Sequence, residues 1–578
     1  MTGPSGPQVQ HPTAIEVLES FDTGSAEVAL AVARGEYLLW LGSGLSKSVV
    51  PGVRALLKRL LYFLQEQIDP SDEDCRFKNA VNAIFDVPPI PDEVRDAIDL
   101  SSPADSWPLD DLLTRLVPHY STVLDVRVDG EERDFLVWDG IDIRTTYGAK
   151  DLEPDAEHLC VAILMLEGVV RSAQTTNWDG LIEAAVELLA GDNAEAILRV
   201  VILQDDFKVP EVRADLLKFH GCAVKAAEDP DQYRHLLIAR RTQISGWTTN
   251  PNYKVMKERL EHLLTSRPTL IVGLSAQDQN IHTMLHQARE NLKHGWPESP
   301  PAVVFADTHL SSDHLHTLEA TYGDNYDLHK DEIDASALLG AYAKPVLLGL
   351  VLFSLADKLC SLIPEPSGLT LGTGDIDRLQ RDVRVLRNRI TPASGAEELA
   401  FVTKFIKTVT FVLSVFRSGS PPDPESTLYE PLSVKPISEA RTDPNFPRDA
   451  LGRFAMAASL ISRGIAEEDW AVTVGEATRP TEGVLQITPP DRDESYVFIV
   501  QGAAALAQLV TDGRVDMTDP AVLVVRAERA PTRPTRSPMV HYGRTGEPAA
   551  RELAIETICT QTQTADGLFD AFRLEADL

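Results

Sequence analysis

Cysteine, aromatic side chains and positive charge are all scarce in this chain of 578 residues. The five cysteines, Cys75, Cys160, Cys222, Cys360 and Cys559, never form C-x-x-C, which excludes a zinc knuckle of paired thiols and a disulfide framework and predicts reduced, mostly buried thiols. Lys and Arg number 54 against 87 Asp and Glu, and the net charge of -33 opposes strong sequence-independent attraction to nucleic acid or anionic membrane. Residues 1–12 lack the basic and apolar regions of a signal peptide, and the longest apolar run, 346–356 with one serine, falls short of a bilayer span. These absences predict a cytoplasmic chain with no membrane contact. Its length suggests two to four domains.

What is present is organised around residues 35–68. Tyr37 to Leu41 is an apolar run of strand length, followed at once by Gly42, Ser43, Gly44 and Ser46 and then by a helical pattern. Val53, Leu56, Leu57, Leu60, Leu61 and Leu64 recur at three- and four-residue steps, which predicts a helix with one face packed on the sheet. A glycine turn between strand and helix allows close backbone approach and frees amide donors for a phosphate or pyrophosphate. A plain tight turn is the alternative, because the third glycine of the dinucleotide fingerprint is missing.

Residues 1–36 predict an opening helix, and 69–154 read as an insertion of the kind that covers a ligand cleft. Within it, VLDVRV and DFLVWDGI joined by Asp129-Gly130 read as a hairpin. Alternation resumes with a helix at 158–165, then strands at 169–175, 197–204, 215–221, 269–275 and 302–307, separated by helical spacers. This predicts an α/β fold with a doubly wound, Rossmann-like parallel sheet, whose ligand site lies at the carboxyl ends of its strands. Asn177, His220 and Ser275 each stand at such an end, although a lone histidine could be structural and Asn177 could be a helix cap.

Beyond 334, residues 343–362 and 398–416 are apolar helical candidates. Between them Ile376, Leu379, Val383, Leu386 and Ile390 form a two-heptad seam flanked by arginines, which reads as an intrachain amphipathic helix or an oligomer interface. Residues 418–447 read as a linker. SYVFIV, AAALAQLV and AVLVVRA predict a small α/β module, followed by the proline-interleaved Arg526, Arg529, Arg533, Arg536 and Arg544, a phosphate or partner contact or a solvated loop. The expected division is 1–335 for the sheet domain with its insertion at about 69–154, 336–420 for a helical segment, and 421–578 for a regulatory or partner-binding module. Of the net charge, -25 falls before residue 365.

Four motifs resemble those of the sirtuin superfamily, particularly its bacterial antiphage-defence branch. G-A-G-x-S is matched by Gly42-Ser43-Gly44-Leu45-Ser46, T-x-N-x-D by Thr175-Thr176-Asn177-Trp178-Asp179, the histidine-glycine pair by His220-Gly221, and the later G-x-S by Gly273-Leu274-Ser275. The LIE after Asp179-Gly180 is typical of the bacterial branch. The resemblance spans about 26–334. Two departures narrow it: the zinc ribbon with its paired C-x-x-C is absent, and the usual P-D-F-R is replaced by Pro51-Gly52-Val53-Arg54.

The resemblance implies NAD as substrate, no zinc, and NAD hydrolysis to nicotinamide and ADP-ribose rather than protein deacylation. It implies that Asn177 places the ribose and water, that His220 contacts ribose hydroxyls or acts as base, and that Asp179 holds the carboxamide. Gly42, Ser43, Gly44, Ser46, Thr176, Gly273 and Ser275 would hold the rest of the dinucleotide. It further implies a gated effector of antiphage defence, controlled by homo-oligomerisation or by an activator such as a HerA-type ATPase or a short Argonaute. A non-catalytic NAD or ADP-ribose sensor is the alternative. Asn177 and His220 are expected to face a solvated cleft, so that substituting them spares folding.

Overall fold

The computed structural model of the chain describes residues 12–210, 212–274, 295–391, 393, 395, 397–474, 483–529 and 549–578. Six strands, β1 (Leu38–Leu41), β2 (Ser172–Thr175), β3 (Leu198–Val201), β4 (Ala214–Lys218), β5 (Thr269–Val272) and β6 (Val303–Ala306), form one sheet in the order β3-β4-β2-β1-β5-β6. Every pairing in it is parallel. With both faces covered by helices, nearly every strand residue is buried, which is why the strands read as short runs without alternation. The doubly wound α/β expectation holds, and the strands are shorter than the runs that announced them.

The crossover from β1 leads to β2 on one side, whereas β5 and β6 lie on the other. The point where the strand order reverses therefore falls between β1 and β5, the crevice at which such sheets take ligands.

The helix Val53–Glu66 does not pack on this sheet. Leu56, Leu57, Leu60, Leu61 and Leu64 share a core with Val81, Ile84, Leu112, Leu116 and Trp138 of the insertion. A 3-10 turn, Ser43–Ser46, and six further residues carry the chain away from the strand edge before the helix begins. The expected hairpin is also absent. Gly130 alone takes a positive φ, 80°, in a turn closed by Glu131 N–H to Val128 O at 3.1 Å, whereas a two-residue hairpin turn of the I′ type needs both central residues there. The two runs fold as short helical turns, Tyr120–Val123 and Leu136–Gly140, and Val123, Leu136, Val137 and Trp138 pack into the insertion core, which also takes in Ala223, Ala226 and Leu237 from the chain beyond β4. The insertion thus sits at the carboxyl edge of the sheet.

The opening helix is two helices, Ala14–Phe21 and Ala26–Ala33, packed with Ala343–Leu362. That long helix serves two cores: Val346 to Phe353 belong to the first sheet's core, and Ala356 to Ile363 to that of the second module. It and Leu399–Ser418 each have 20 residues and the length and apolar composition of a membrane span, which corrects the expectation of no run long enough. Of their apolar windows 72% and 44% are buried inside the protein, so packing accounts for the first helix more fully than for the second.

Thr373–Ile390 packs within its own chain against Arg448–Ala466, where Ser459 Oγ donates to Leu379 O at 2.8 Å and Ser462 Oγ donates to Asp382 O. The second sheet has the order β11-β10-β9-β8-β7, from β7 (Ala471–Val474), β8 (Leu485–Thr488), β9 (Ser495–Val500), β10 (Val522–Arg526) and β11 (Arg551–Ala554). β9, β10 and β11 are parallel, and β7 and β8 complete an antiparallel meander onto β9. An apolar cavity of about 190 Å³, lined by Leu355, Leu386, Val409, Phe454 and Leu485 among others, lies between the helical segment and this sheet. Arg526 of the basic run is buried and paired with Glu552 at 2.6 Å, while Arg533, Arg536 and Arg544 lie outside the described residues.

Candidate functional site

The strand register gathers the site. Leu41 of β1 stands opposite Thr175 of β2 and Val272 of β5, and Thr175 stands opposite Lys218 of β4. These four residues form one row across the sheet. Gly42 and Gly273 come one residue beyond it, and Asn177 and His220 come two beyond it on neighbouring strands. Residues 43 positions apart in sequence are so brought to the same end of adjacent strands.

The glycines meet each other across the switch point. Gly44 N–H donates to Gly273 O at 2.8 Å, and Gly273 has φ 66°. A Cβ on Gly42 would lie 2.5 Å from both Gly273 O and Leu274 Cα, and one on Gly44 would lie 2.7 Å from Gly273 O. Their lack of a side chain is thus required first by this mutual packing of two turns. Ser43 and Gly44 are exposed on its outer side, Thr176 is half-buried, and Ser275 lies outside the described residues.

Asn177 bridges the first turn to β2. Its Nδ2 donates to Gly42 O at 3.1 Å and to Ser46 Oγ at 3.2 Å, and its backbone N–H donates to Thr175 Oγ1 at 3.0 Å. It is not a helix cap: the next helix, Leu181–Ala190, has its Leu181 amide bound by Asp179 Oδ1 at 3.2 Å. With both amide hydrogens engaged, Asn177 Oδ1 is buried and has no partner among the described residues, which costs about 1–3 kcal/mol unless a ligand meets it.

Asn177 is 8% exposed and His220 4%, so neither lies on a solvated wall as expected. His220 O accepts from Ile238 N–H at 3.0 Å, and its ring stands edge-on to Phe219 at 4.8 Å. Lys218, fully buried, donates to Asp179 O and, at 2.7 Å, to Glu183 Oε1. From the insertion, Tyr147 donates to Pro51 O at 2.6 Å and packs edge-on to Trp178 at 5.5 Å. Burial, and after it the Asp179 carboxylate, push the Tyr147 phenol up, so it stays a neutral donor.

Sequence reasoning missed His158. Its ring lies at the third position of the helix Ala156–Leu166, 3.1 Å from Ser46 Oγ, and its Nδ1 accepts from Asp155 N–H at 3.1 Å. The local signal was a capping box, Asp155 to His158, with histidine where Glu or Gln usually stands. Asp155 in turn accepts from Ser48 Oγ at 2.6 Å and Lys344 Nζ at 2.8 Å. Burial opposes ionisation of Asp155, but these bonds and the Ala156 amide outweigh it and bring its carboxyl down to about 2.

The five cysteines are free and buried, and among the described residues no three His, Cys, Asp or Glu side chains are grouped to hold a metal ion. Residues 171–326 match the SIR2-like domain, a family that uses NAD. The match begins at the edge of β2, so the glycine turn after β1 rests on its motif and geometry. No curated protein matches the chain.

Proposed function

We propose that the chain is an NAD hydrolase, releasing nicotinamide and ADP-ribose, and that it serves as the gated effector of a prokaryotic antiphage system in the cytoplasm. The observation that carries this reading is the buried Asn177, held through both amide hydrogens by Gly42 and Ser46, with its oxygen unpartnered among the described residues at the carboxyl end of β2 beside the strand that bears His220. A polar group fixed so firmly and left half-satisfied suits a substrate whose hydroxyls or attacking water complete it.

Nicotinamide leaves from its cationic form, so the reaction needs no strong general acid. It needs ribose oriented and water admitted as an oxocarbenium-like state develops. Asn177 orients ribose or water through Oδ1, His220 contacts the ribose hydroxyls or takes the proton from water, and Asp179 contacts the carboxamide. The outward face of the Ser43-Gly44 turn meets the phosphates. Gating follows from cellular chemistry, since a freely active NADase would deplete its own cell; the helical segment and second module provide the surface for self-association or an activator.

The test is NAD consumption by the full chain, purified with the products of its neighbouring genes and exposed to phage-derived triggers. Stoichiometric nicotinamide and ADP-ribose are expected. Tight NAD binding with no product over hours would favour a sensor instead.

A further inference from the structure

We propose that His158 is a positioning residue that sets Ser46 and Asn177 for the ligand of this site; the role rests on the NAD reading, but the arrangement does not. Because His158 Nδ1 accepts from Asp155 N–H, that nitrogen carries no hydrogen, and the neutral ring must carry it on Nε2, 3.1 Å from Ser46 Oγ. Burial holds the ring in this neutral form by pushing its pKa down. A protonated ring would oppose its own N–H to the Asp155 amide.

Ser46 Oγ therefore receives two donors, His158 Nε2–H at 3.1 Å and Asn177 Nδ2–H at 3.2 Å, which occupy both its lone pairs. Its own hydrogen remains to be given away. Among the described residues the cluster thus keeps one spare donor, the Ser46 hydroxyl, and one spare acceptor, Asn177 Oδ1, which together complement a water molecule or a sugar hydroxyl. Without His158, Ser46 could turn its hydrogen elsewhere and the donor would lose its direction. The ring itself hangs from a helix start fixed by Ser48 and Lys344 through Asp155.

Two substitutions separate positioning from mere structure. His158→Asn keeps an acceptor for the Asp155 amide but falls short of Ser46, while His158→Gln offers both the capping acceptor and an N–H toward Ser46. In the full chain purified with its neighbours' products, His158→Asn should release nicotinamide about 10- to 100-fold more slowly at saturating NAD, with a smaller change in KM, and His158→Gln should recover to within about fivefold of the parent. Both should melt within a few degrees of each other. Equal turnover per folded molecule in the two variants would overturn the proposal. Ring nitrogen spectra of histidine-labelled protein give a readout free of ligand. They should show one histidine protonated only at Nε2 at neutral pH, lost in His158→Gln and shifted in Ser46→Ala; protonation at Nδ1 would overturn the arrangement. A parent that releases no nicotinamide would sink the hydrolase reading and leave this spectrum to decide the arrangement.

Discussion

The two sheets share an α/β construction and differ at their strand ends. Beyond β1, β2, β4 and β5 stand Gly42, Asn177, His220 and Gly273, with the Asn177 amide oxygen unpartnered among the described residues. Beyond β9 and β10 the chain closes on itself: Gln501 N–H donates to Phe416 O at 2.8 Å, Ala527 N–H to Val500 O at 2.9 Å, and Glu528 N–H to Gln501 O at 2.9 Å. The second module's cavity is apolar and borders its helices instead. Architecture therefore does not assign chemistry; the polar groups left open at one end of one sheet do.

The junction between the two regions offers the largest effect. Lys358, on the helix that serves both cores, pairs with buried Glu167 at 2.5 Å and donates to Ser433 O at 2.8 Å, while Tyr429 donates to Glu167 Oε1 at 2.8 Å. Both ionic groups are 1% exposed. Lys358→Met would strand the carboxylate, so denaturant unfolding should show a loss of about 3–5 kcal/mol. A loss below about 1 kcal/mol would mean that apolar packing along the helix alone joins the two regions.

Acid and base should act differently on the first region's two neighbouring carboxyls. Burial pushes Glu157 up to about 7 from its ordinary 4.5, so the folded chain holds a proton that the unfolded chain releases, and stability falls as pH rises through that window. The fall should reach up to about 3 kcal/mol, and Glu157→Gln should flatten melting temperature against pH there. Asp155 has the opposite sign: its contribution is present above its ordinary 3.8 and is lost as pH falls toward about 2. In the second region burial raises Asp382 to about 6, so Asp382→Asn should remove a further part of the fall in stability between 3.8 and 6. An unchanged pH profile in both variants would contradict these assignments.

The smallest effect is expected at the rim of the second module. Arg492 and Asp577 pair at 2.8 Å with 52% and 73% of their side chains exposed, and Arg492→Ala should leave the melting temperature unchanged. A clear drop would show that this edge is held by charge rather than by the apolar residues behind it.

The first sheet was legible because parallel strands buried on both faces leave apolar runs that glycine and asparagine punctuate. β7, β8 and β11 were missed because Ala471–Val474, Leu485–Thr488 and Arg551–Ala554 are four-residue strands with about half their side chains turned from the core, β7 and β11 also lying at the sheet's edges. The false hairpin came from treating Asp-Gly as sufficient, when φ at the preceding residue decides the turn. At the site, residues with strand-end motifs could be found in order along the chain. His158 could not, since its partner Ser46 lies 112 positions away and only the fold joins them. Burial of Asn177 and His220 was equally hidden, because the insertion and the two glycine turns that cover this edge are distant in sequence.

The central claim is that Asn177 acts on substrate rather than merely tying β2 to the glycine turn. Nicotinamide release per folded molecule, compared between the activated parent and Asn177→Ala, tests it most directly. Losing the bonds to Gly42 and Ser46 should lower stability by about 1–3 kcal/mol, so the folded fraction must be measured beside the rate. A fall of about 10² to 10⁴ in turnover after that correction is expected. Turnover close to the parent's in the folded fraction would contradict the account.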